Sequence, residues 1–201
     1  MRVLVVGATG TIGSAVAAAL GARGHEVVSA AATRGDLSVD LADPASIAAL
    51  YAAAPSVGAV VCAAGRAEFG KLADLSDEAF RASLASKLMG QVNLVRYGIG
   101  RVMEGGSFTL TSGGLSQVPA PGTTAVSMTG AAVEAFARAA ALDLAGRYRV
   151  NVVSPGWVAE SRVQAGLPPM PGIWAKDLAA RYVALVEGDV TGQVVSAERS
   201  E

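Results

Sequence analysis

The chain has 201 residues, of which 52% are hydrophobic and 16% are charged, and its formal net charge is −1. This composition excludes a disordered chain, and the length favours one domain over residues 1–201 with a sizeable core. The chain has no basic block and no apolar run of membrane-spanning length, so we expect neither a nucleic-acid nor a membrane partner. Cys62 is the single cysteine. An intrachain disulfide is therefore impossible, and we expect a reducing, cytoplasmic location.

Short apolar runs alternate along the chain with segments of helical spacing. Strands are predicted at residues 3–6, 26–30, 37–41, 57–63, 107–111, 148–153 and 193–196. Helices are predicted at 12–20, 44–54 with Asp43 as N-cap, 76–102, 122–146 and 177–187, and residues 165–173 are predicted as an irregular surface loop. Because the strands are continuously apolar, we predict an α/β fold with a parallel sheet covered by helices on both faces.

In such sheets ligands bind beyond the carboxyl ends of the strands. The first of these ends carries "GATGTIG", with Gly7, Gly10 and Gly13 between a strand and a helix. Glycines there allow a sharp turn and a close approach of a diphosphate to backbone N–H groups, and the helix N-terminus favours the negative charge. This context predicts a dinucleotide site, although a purely structural turn is the alternative.

The second strand end, "SAAATRGD", indicates which dinucleotide is bound. A carboxylate at this point accepts hydrogen bonds from the adenosine ribose diol of NAD, and none stands at Ser29, Ala30 or Ala31. Arg34 follows shortly and suits a 2′-phosphate, whereas Asp36 lies too far along for the usual selecting acid. We therefore predict NADP, with NAD as a possible alternative. Arg34 as a solvated loop charge is the competing interpretation.

Several motifs together resemble the short-chain dehydrogenase/reductase family over almost the whole chain. They are "GATGTIG", "VDLAD" at 39–43, "CAAG" at 62–65, "GGSFTLTSG" at 105–113, "RVNVVSPGWV" at 149–158 and "TGQVVSA" at 191–197. The resemblance implies a Rossmann fold with a doubly wound parallel seven-stranded sheet. It also implies hydride transfer between a nicotinamide cofactor and a small-molecule substrate, and a homodimer or homotetramer. The cofactor-binding residues it implies, together with Arg34 and Lys87, are Gly7, Thr9, Gly10, Thr11, Ile12, Gly13, Asp40, Leu41, Ala63, Ala64, Gly65, Pro155, Gly156 and Val158.

The chain departs from this family at its catalytic motif. In typical members the long helix begins with Tyr-x-x-x-Lys, which is followed by a run of small residues. When "AAVEAF" at 131–136 is aligned with that run, Val126 stands at the tyrosine position and Gly130 at the lysine position. The tyrosine normally transfers a proton to or from the substrate oxygen, and the lysine lowers its pKa and holds the ribose. Counting back places Gly113 at the catalytic serine, and the family's asparagine corresponds to Lys87. The scaffold is kept while the proton-transfer groups are replaced.

Three residues remain as catalytic candidates. Lys87 can hold the ribose hydroxyls or donate to a substrate oxygen, unless it is a snorkelling surface lysine. Ser112 and Thr111 can hydrogen-bond the substrate or the nicotinamide, or they simply end a strand. Ser127 and Thr129 are predicted to cap the helix rather than to act chemically.

Other reactive or aromatic side chains are given no catalytic role. Cys62 is predicted to be a small buried hydrophobe, and His25 is placed away from the cleft. Trp157 and Trp174 flank the segment in which the family builds its substrate lid, and no metal-ligand cluster is expected.

Two functions fit this pattern. One is an atypical short-chain oxidoreductase that uses NADP(H). The other is a cofactor-binding regulator or redox sensor without turnover.

Overall fold

The computed structural model of the chain describes residues 1–164 and 172–197, and of residues 162–164 the backbone only. Most of the predicted loop 165–173 therefore lies outside the described residues. In the described part of the chain, none of the helices combines the length and apolar character that a membrane span requires.

The described strands form one parallel sheet of seven, in the order β3-β2-β1-β4-β5-β6-β7. The strand order reverses direction between β1 and β4, which is the point where such sheets open a ligand crevice. The prediction of a doubly wound parallel sheet is confirmed. The strands are β1 (Arg2–Val6), β2 (Glu26–Ala31), β3 (Leu37–Ser38), β4 (Val57–Cys62), β5 (Val102–Thr111), β6 (Arg149–Pro155) and β7 (Val194–Ala197).

Helices cover both faces of this sheet. They are α1 (Thr11–Ala22), α2 (Pro44–Ala53), α3 (Asp77–Ser83), α4 (Gly90–Gly98), α5 (Thr124–Asp143), α6 (Ala159–Gln164) and α7 (Ala175–Glu187). Alternate residues of β1 face opposite sides, so that Leu4 and Val6 pack with α2, α4 and α5, whereas Val3 and Val5 pack with α1 and α7. The two apolar clusters stabilise the sheet from both sides.

Local signals in the sequence explain several helix ends. The carboxylate of Asp43 accepts a hydrogen bond from Ala45 N at 2.9 Å and caps α2, as predicted. Ser76 caps α3 in the same way, through Ala79 N at 3.2 Å. These side chains satisfy backbone donors that the first helical turn leaves unpaired.

The prediction of a helix over 76–102 is wrong in two respects. The segment is divided by a π-helical turn at Leu84–Met89, and α4 ends at Gly98. Gly100 then adopts a φ of +76°, which reverses the chain so that β5 begins at Val102 rather than at Ser107.

Other boundaries also differ from the predictions. The third strand is shorter than predicted, because residues 39–41 leave the sheet, and α6 was not predicted. Helix α5 begins at Thr124, so Ser127 and Thr129 lie inside it and do not cap it. The Thr129 hydroxyl instead donates to Ala125 O, one turn back, at 2.8 Å.

Candidate functional site

A cleft of about 750 Å³ opens at the carboxyl ends of β1, β2 and β4. It lies at the position where the strand order reverses, as expected for a doubly wound sheet. Its walls comprise Val6, Gly7, Thr9, Gly10, Ala31, Ala32, Ser38, Val39, Asp40, Leu41, Ser46, Ala63, Ala64, Gly65, Arg66 and Ser86.

The glycines of "GATGTIG" shape one end of this cleft. Gly7 has a φ of +86°, and a Cβ there would stand 2.8 Å from Ala63 O. A Cβ on Gly13 would stand 2.0 Å from Gly7 O, so α1 can approach the turn this closely only without a side chain. Gly10 is the N-cap of α1 and lines the cleft. The backbone N–H groups at this helix end and the exposed backbone fit a diphosphate.

Among the described residues, none with an acidic side chain lines the cleft at its β2 end. Ala31 and Ala32 form its wall there. Asp36 does fold back toward β2, but its Oδ2 accepts hydrogen bonds from Ser29 N at 2.9 Å and Ser29 Oγ at 2.7 Å. Those two donors lower the pKa of the Asp36 carboxyl and hold it on Ser29, away from the wall of the cleft.

Two arginines lie near this cleft. Arg34 is exposed in the β2–β3 loop, two residues beyond Ala32, and is not itself part of the wall. Arg66, which sequence reasoning did not select, is exposed and lines the cleft beside Gly65 and Ser86. The signal for it was its place directly after the "CAAG" turn.

The opposite wall comes from the turns after β3 and β4. Asp40 and Leu41 line the cleft, and Asp40 Oδ1 accepts from Ala42 N at 2.9 Å, which fixes this turn. Ala63, Ala64 and Gly65 also line it. Gly65 has a φ of +115°, and a Cβ there would lie 3.2 Å from Cα and Cδ of Lys87.

This contact places the stem of Lys87 directly beside the cleft. The residue is half-buried on the π-helical turn, and desolvation of its ammonium group lowers its pKa. The Lys87 side chain is thus partly withdrawn from solvent. The nearby Cys62 thiol is fully buried, burial raises its pKa to about 11, and its Sγ donates to Ala64 O at 3.6 Å. It is not a nucleophile in this state.

A second cavity of about 330 Å³ lies at the ends of β5 and β6. Because β4 and β5 are neighbours, it adjoins the strand ends that form the first cleft. Val126 of α5 lies in its wall, and α5 contains no tyrosine. The other lining residues are Ser112, Gly113, Gly114, Leu115, Val118, Pro155, Gly156 and Trp157.

Ser112, rather than Gly113, supplies the hydroxyl of this cavity. The Ser112 side chain donates to Glu134 Oε1 at 2.8 Å, and the same oxygen accepts from Ser116 at 2.5 Å and from Ser154 at 3.1 Å. Sequence reasoning missed Glu134. The available signal was its spacing, because residues 126, 130 and 134 share one face of α5.

The hydroxyl of Thr111 is hydrogen-bonded inside the core. Its Oγ1 donates to Cys62 O at 2.5 Å and shares a hydrogen bond of 2.7 Å with Tyr182 OH beneath the sheet end. Only 4% of the residue is exposed. Its hydroxyl is therefore satisfied within the core and does not face either cavity.

The remaining predicted residues are more scattered. Thr11 lines a separate cavity of about 400 Å³ together with Glu160 and Lys176. Ile12 packs its side chain against the core, and Val158 is buried and pairs with Ile173. Pro155 and Gly156 line the second cavity rather than the first. His25 bonds Glu187 at 3.0 Å, and no group of His, Cys, Asp or Glu among the described residues could hold a metal.

Comparisons with known proteins agree with this geometry. A family model described as enoyl-(acyl carrier protein) reductase matches residues 7–180. A comparison with curated proteins finds no match.

Solved structures match almost the full length of the chain. The protein lin1944 from Listeria innocua is 36% identical, with a TM-score of 0.91 over 98% of this chain and 99% of that chain. A small-chain dehydrogenase in complex with NADPH is 27% identical, with a TM-score of 0.85 over 98% of this chain and 96% of that chain. The aldohexose dehydrogenase of Thermoplasma acidophilum, at 20% identity and a TM-score of 0.85 over 98% and 91% of the two chains, shares the fold. The chain belongs to the short-chain dehydrogenase/reductase family.

Proposed function

We propose that this protein is an atypical NADP(H)-dependent oxidoreductase that transfers hydride to or from a small molecule. The observation that carries the proposal is the arrangement of two cavities. A glycine-lined cleft suited to a dinucleotide lies at the ends of β1, β2 and β4, and a smaller, mainly apolar cavity lies at the ends of the adjacent strands β5 and β6. A nicotinamide at the junction of the two would face a substrate in the second.

The described residues fit such a cofactor. Gly7, Gly10 and Gly13 leave the space that a diphosphate needs, and the first backbone N–H groups of α1, from Thr11 and Ile12 on, are placed to bind it. Asp40 and Leu41 are assigned to the adenine, and Ala63, Ala64 and Gly65 to the central part of the dinucleotide. Pro155, Gly156 and Val158 are assigned to its nicotinamide end. The NADPH bound by the 27% identical small-chain dehydrogenase supports this assignment.

NADP is favoured over NAD by the β2 end of the cleft. Ala31 and Ala32 supply no carboxylate for a ribose diol, and Asp36 is occupied by Ser29. Arg34 is exposed nearby and free to approach a 2′-phosphate. A negative phosphate would therefore meet the cation of Arg34, while the Asp36 carboxylate is held on Ser29.

Catalysis is assigned to Lys87 and Ser112. When bound, the nicotinamide supplies the hydride chemistry, and the protein supplies position and charge. The desolvated ammonium of Lys87 beside Gly65 would hold the ribose hydroxyls, as the lysine missing at Gly130 does in typical members. Ser112 would contact the substrate oxygen in the second cavity. Thr111 has no part in this assignment, because its hydroxyl is bonded inside the core.

One observation favours a second candidate, a redox sensor that binds NADP(H) without turnover. Val126 lines the second cavity where a proton-donating phenol would stand. A chain that has lost this group can still bind the cofactor and change its partners in response.

Calorimetric titration with NADPH and NADH, followed by steady-state assays, tests the proposal. We expect saturable binding of both cofactors, tighter for NADPH, and NADP(H)-dependent turnover of at least one member of a panel of small alcohols, ketones and quinones. Binding without any turnover would support the sensor. Failure of both cofactors to bind at millimolar concentration would contradict both candidates.

A further inference from the structure

The side chain of Glu134 is a buried carboxylate that the family resemblance does not assign. It lies on α5, two turns beyond Val126, with its side chain 6% exposed. A buried carboxylate requires strong donors, and here three serine hydroxyls converge on one oxygen, Oε1. The other oxygen, Oε2, lies 3.8 Å from Nη2 of Arg138.

The three serines occupy different positions around the carboxylate. Ser154 is on β6 and 2% exposed, and Ser116 ends the 3-10 turn at Gly114–Ser116. Of the three, Ser112 is the one that lines the second cavity. Because its proton points to Glu134, the lone pairs of Ser112 Oγ are directed elsewhere and can accept a hydrogen bond from a ligand. The wall therefore offers a hydrogen-bond acceptor linked to a base.

The space for this arrangement depends on the residue at position 130. A Cβ on Gly130 would stand 3.2 Å from Ser116 Cβ, so a lysine there would crowd the serine that donates to Glu134. The loss of the usual lysine and the presence of the carboxylate cluster are thus spatially linked.

We propose that Ser112 accepts the proton of a substrate hydroxyl, and that Glu134, acting through Ser112, is the positioning residue that takes up the serine's own proton. The proposal rests on the proposed oxidoreductase function and deepens it. The substrate O–H bond breaks as its proton passes to Ser112 Oγ, and the Ser112 proton passes to Glu134 Oε1. The carbinol carbon loses its hydrogen as hydride, with two electrons, to an oxidised nicotinamide, so that a carbonyl forms.

The cavity also limits the substrate class. Leu115, Val118, Val126 and Trp157 contribute apolar walls to a volume of about 330 Å³. An alcohol with a small apolar body would bury that body here and direct its hydroxyl at Ser112. The direction of catalysis that this arrangement serves is alcohol oxidation, because a carboxylate can accept the proton that the alcohol loses.

Among the described residues, the charged groups around Glu134 are few. Arg138 on α5 lies 3.8 Å from its Oε2, and Lys87 lies on the π-helical turn that packs against α5. Arg149 on β6 donates to carbonyls at the end of α7 and so points away, and the turn Gly114–Ser116 carries no charge. Charged side chains on the other helices that pack against α5 are exposed: Asp77, Glu78 and Arg81 of α3 and Arg96 of α4.

The alternative is that the cluster only ties β5, β6 and the 3-10 turn to α5, and three variants separate the two roles. Glu134→Gln keeps an oxygen that accepts the hydroxyls but cannot take a proton. Ser112→Ala removes the hydroxyl in the cavity, and Ser154→Ala removes a donor outside it. The readouts are the NADP+ dissociation constant, the pH profile of kcat for small secondary alcohols, and the infrared C=O band of a protonated carboxyl.

We expect Glu134→Gln and Ser112→Ala to keep NADP+ affinity within about twofold. Both should lose roughly 10²–10³-fold in kcat, the range of general base catalysis. In the wild type, kcat should fall at acidic pH, over the same pH range in which the infrared C=O band of a protonated carboxyl appears. Glu134→Gln should show neither the fall in kcat nor the band. Ser154→Ala should lose less kcat than Ser112→Ala, because the Ser154 hydroxyl lies outside the cavity.

Several outcomes would overturn the proposal. Unchanged kcat in folded Glu134→Gln, as judged by circular dichroism, would show that the cluster is only structural. NADP+ binding with no oxidation of any alcohol tested would also overturn it and leave the sensor. If no infrared C=O band of a protonated carboxyl appears over the pH range in which kcat falls, proton uptake by Glu134 is excluded. Absence of NADP+ binding by the wild type would instead contradict the proposed function itself.

Discussion

The two halves of the carboxyl edge of the sheet resemble typical members of the family to different degrees. At the ends of β1, β2 and β4, the glycine turn and the small residues of "CAAG" form a cleft of the expected shape. At the ends of β5 and β6, Val126 lines the second cavity, and a buried carboxylate with three serines stands behind the cavity wall. We propose that Val126 and Gly130 stand where typical members carry the tyrosine and the lysine. The cleft for the cofactor depends mainly on backbone shape, whereas proton transfer depends on individual side chains.

The largest effect is expected from a change in the backbone shape of the first half. Gly13→Ala places a Cβ 2.0 Å from Gly7 O, and it should lower the free energy of unfolding by about 2–3 kcal/mol and abolish NADPH binding. Gly21→Ala is the matched control in the same helix, where a Cβ meets nothing within 4 Å. It should be neutral or stabilising by up to about 1 kcal/mol. Thermal melts and NADPH titrations measure both, and equal behaviour of the two variants would contradict the close packing of this turn.

The second half should respond to restoration of the family's groups. Val126→Tyr with Gly130→Lys, in a Ser116→Gly background that removes the Cβ nearest to position 130, should raise ketone reduction by about 10²-fold. Gly113→Ser is not needed, because Ser112 already lines the cavity. Each change alone should give little, since these groups act as a unit. NADPH oxidation with small ketones measures the effect. A folded triple variant that binds NADPH and gains nothing would show that the cavity no longer admits a ketone.

Arg34 and Arg66 allow a comparison within the cofactor half. Arg34→Ala should weaken NADPH by about 1–2 kcal/mol and leave NADH unchanged, because a 2′-phosphate contact is lost. Arg66→Ala should weaken both cofactors alike, since Arg66 lies on the wall beside Gly65 and Ser86, away from the β2 end. Parallel calorimetric titrations measure the four constants. Equal losses for NADPH and NADH in Arg34→Ala would return Arg34 to a solvated loop charge.

Lys87 lies at the boundary of the two halves. Lys87→Met should weaken both cofactors by about 1 kcal/mol, because a ribose contact is lost. It should also raise the melting temperature, since desolvation lowers the pKa of Lys87. Because the pKa of Lys87 is lower in the folded than in the unfolded chain, the charged lysine reduces the free energy of unfolding of the wild type below its folded pKa. This loss of stability is relieved as the pH rises toward the ordinary pKa of lysine. The exposed Lys71→Met is the control and should change neither quantity. Unaltered affinity and unaltered stability in Lys87→Met would place its ammonium outside the cleft.

The same division separates what the sequence could predict from what it could not. Gly7, Gly10 and Gly13 form a local pattern whose geometry follows from their spacing, and the N-caps Asp43 and Ser76 are equally local. The carboxylate cluster is not, because Ser112, Ser116, Ser154 and Glu134 come from four separate elements and meet only after β5, β6 and α5 have packed. The limit of α4 was missed because Gly98 and Gly100 together outweighed an otherwise continuous helical pattern.

The NADPH dissociation constant of the Ser112→Ala/Glu134→Gln double variant tests most directly whether cofactor binding and proton transfer depend on different parts of the site. It is measured beside the wild type, in preparations that are also assayed for alcohol oxidation. We predict constants equal within about twofold while turnover falls by roughly 10²-fold or more. A fall in NADPH affinity together with turnover, or a wild type that binds no NADPH, would contradict a cofactor cleft that works independently of the proton-transfer residues.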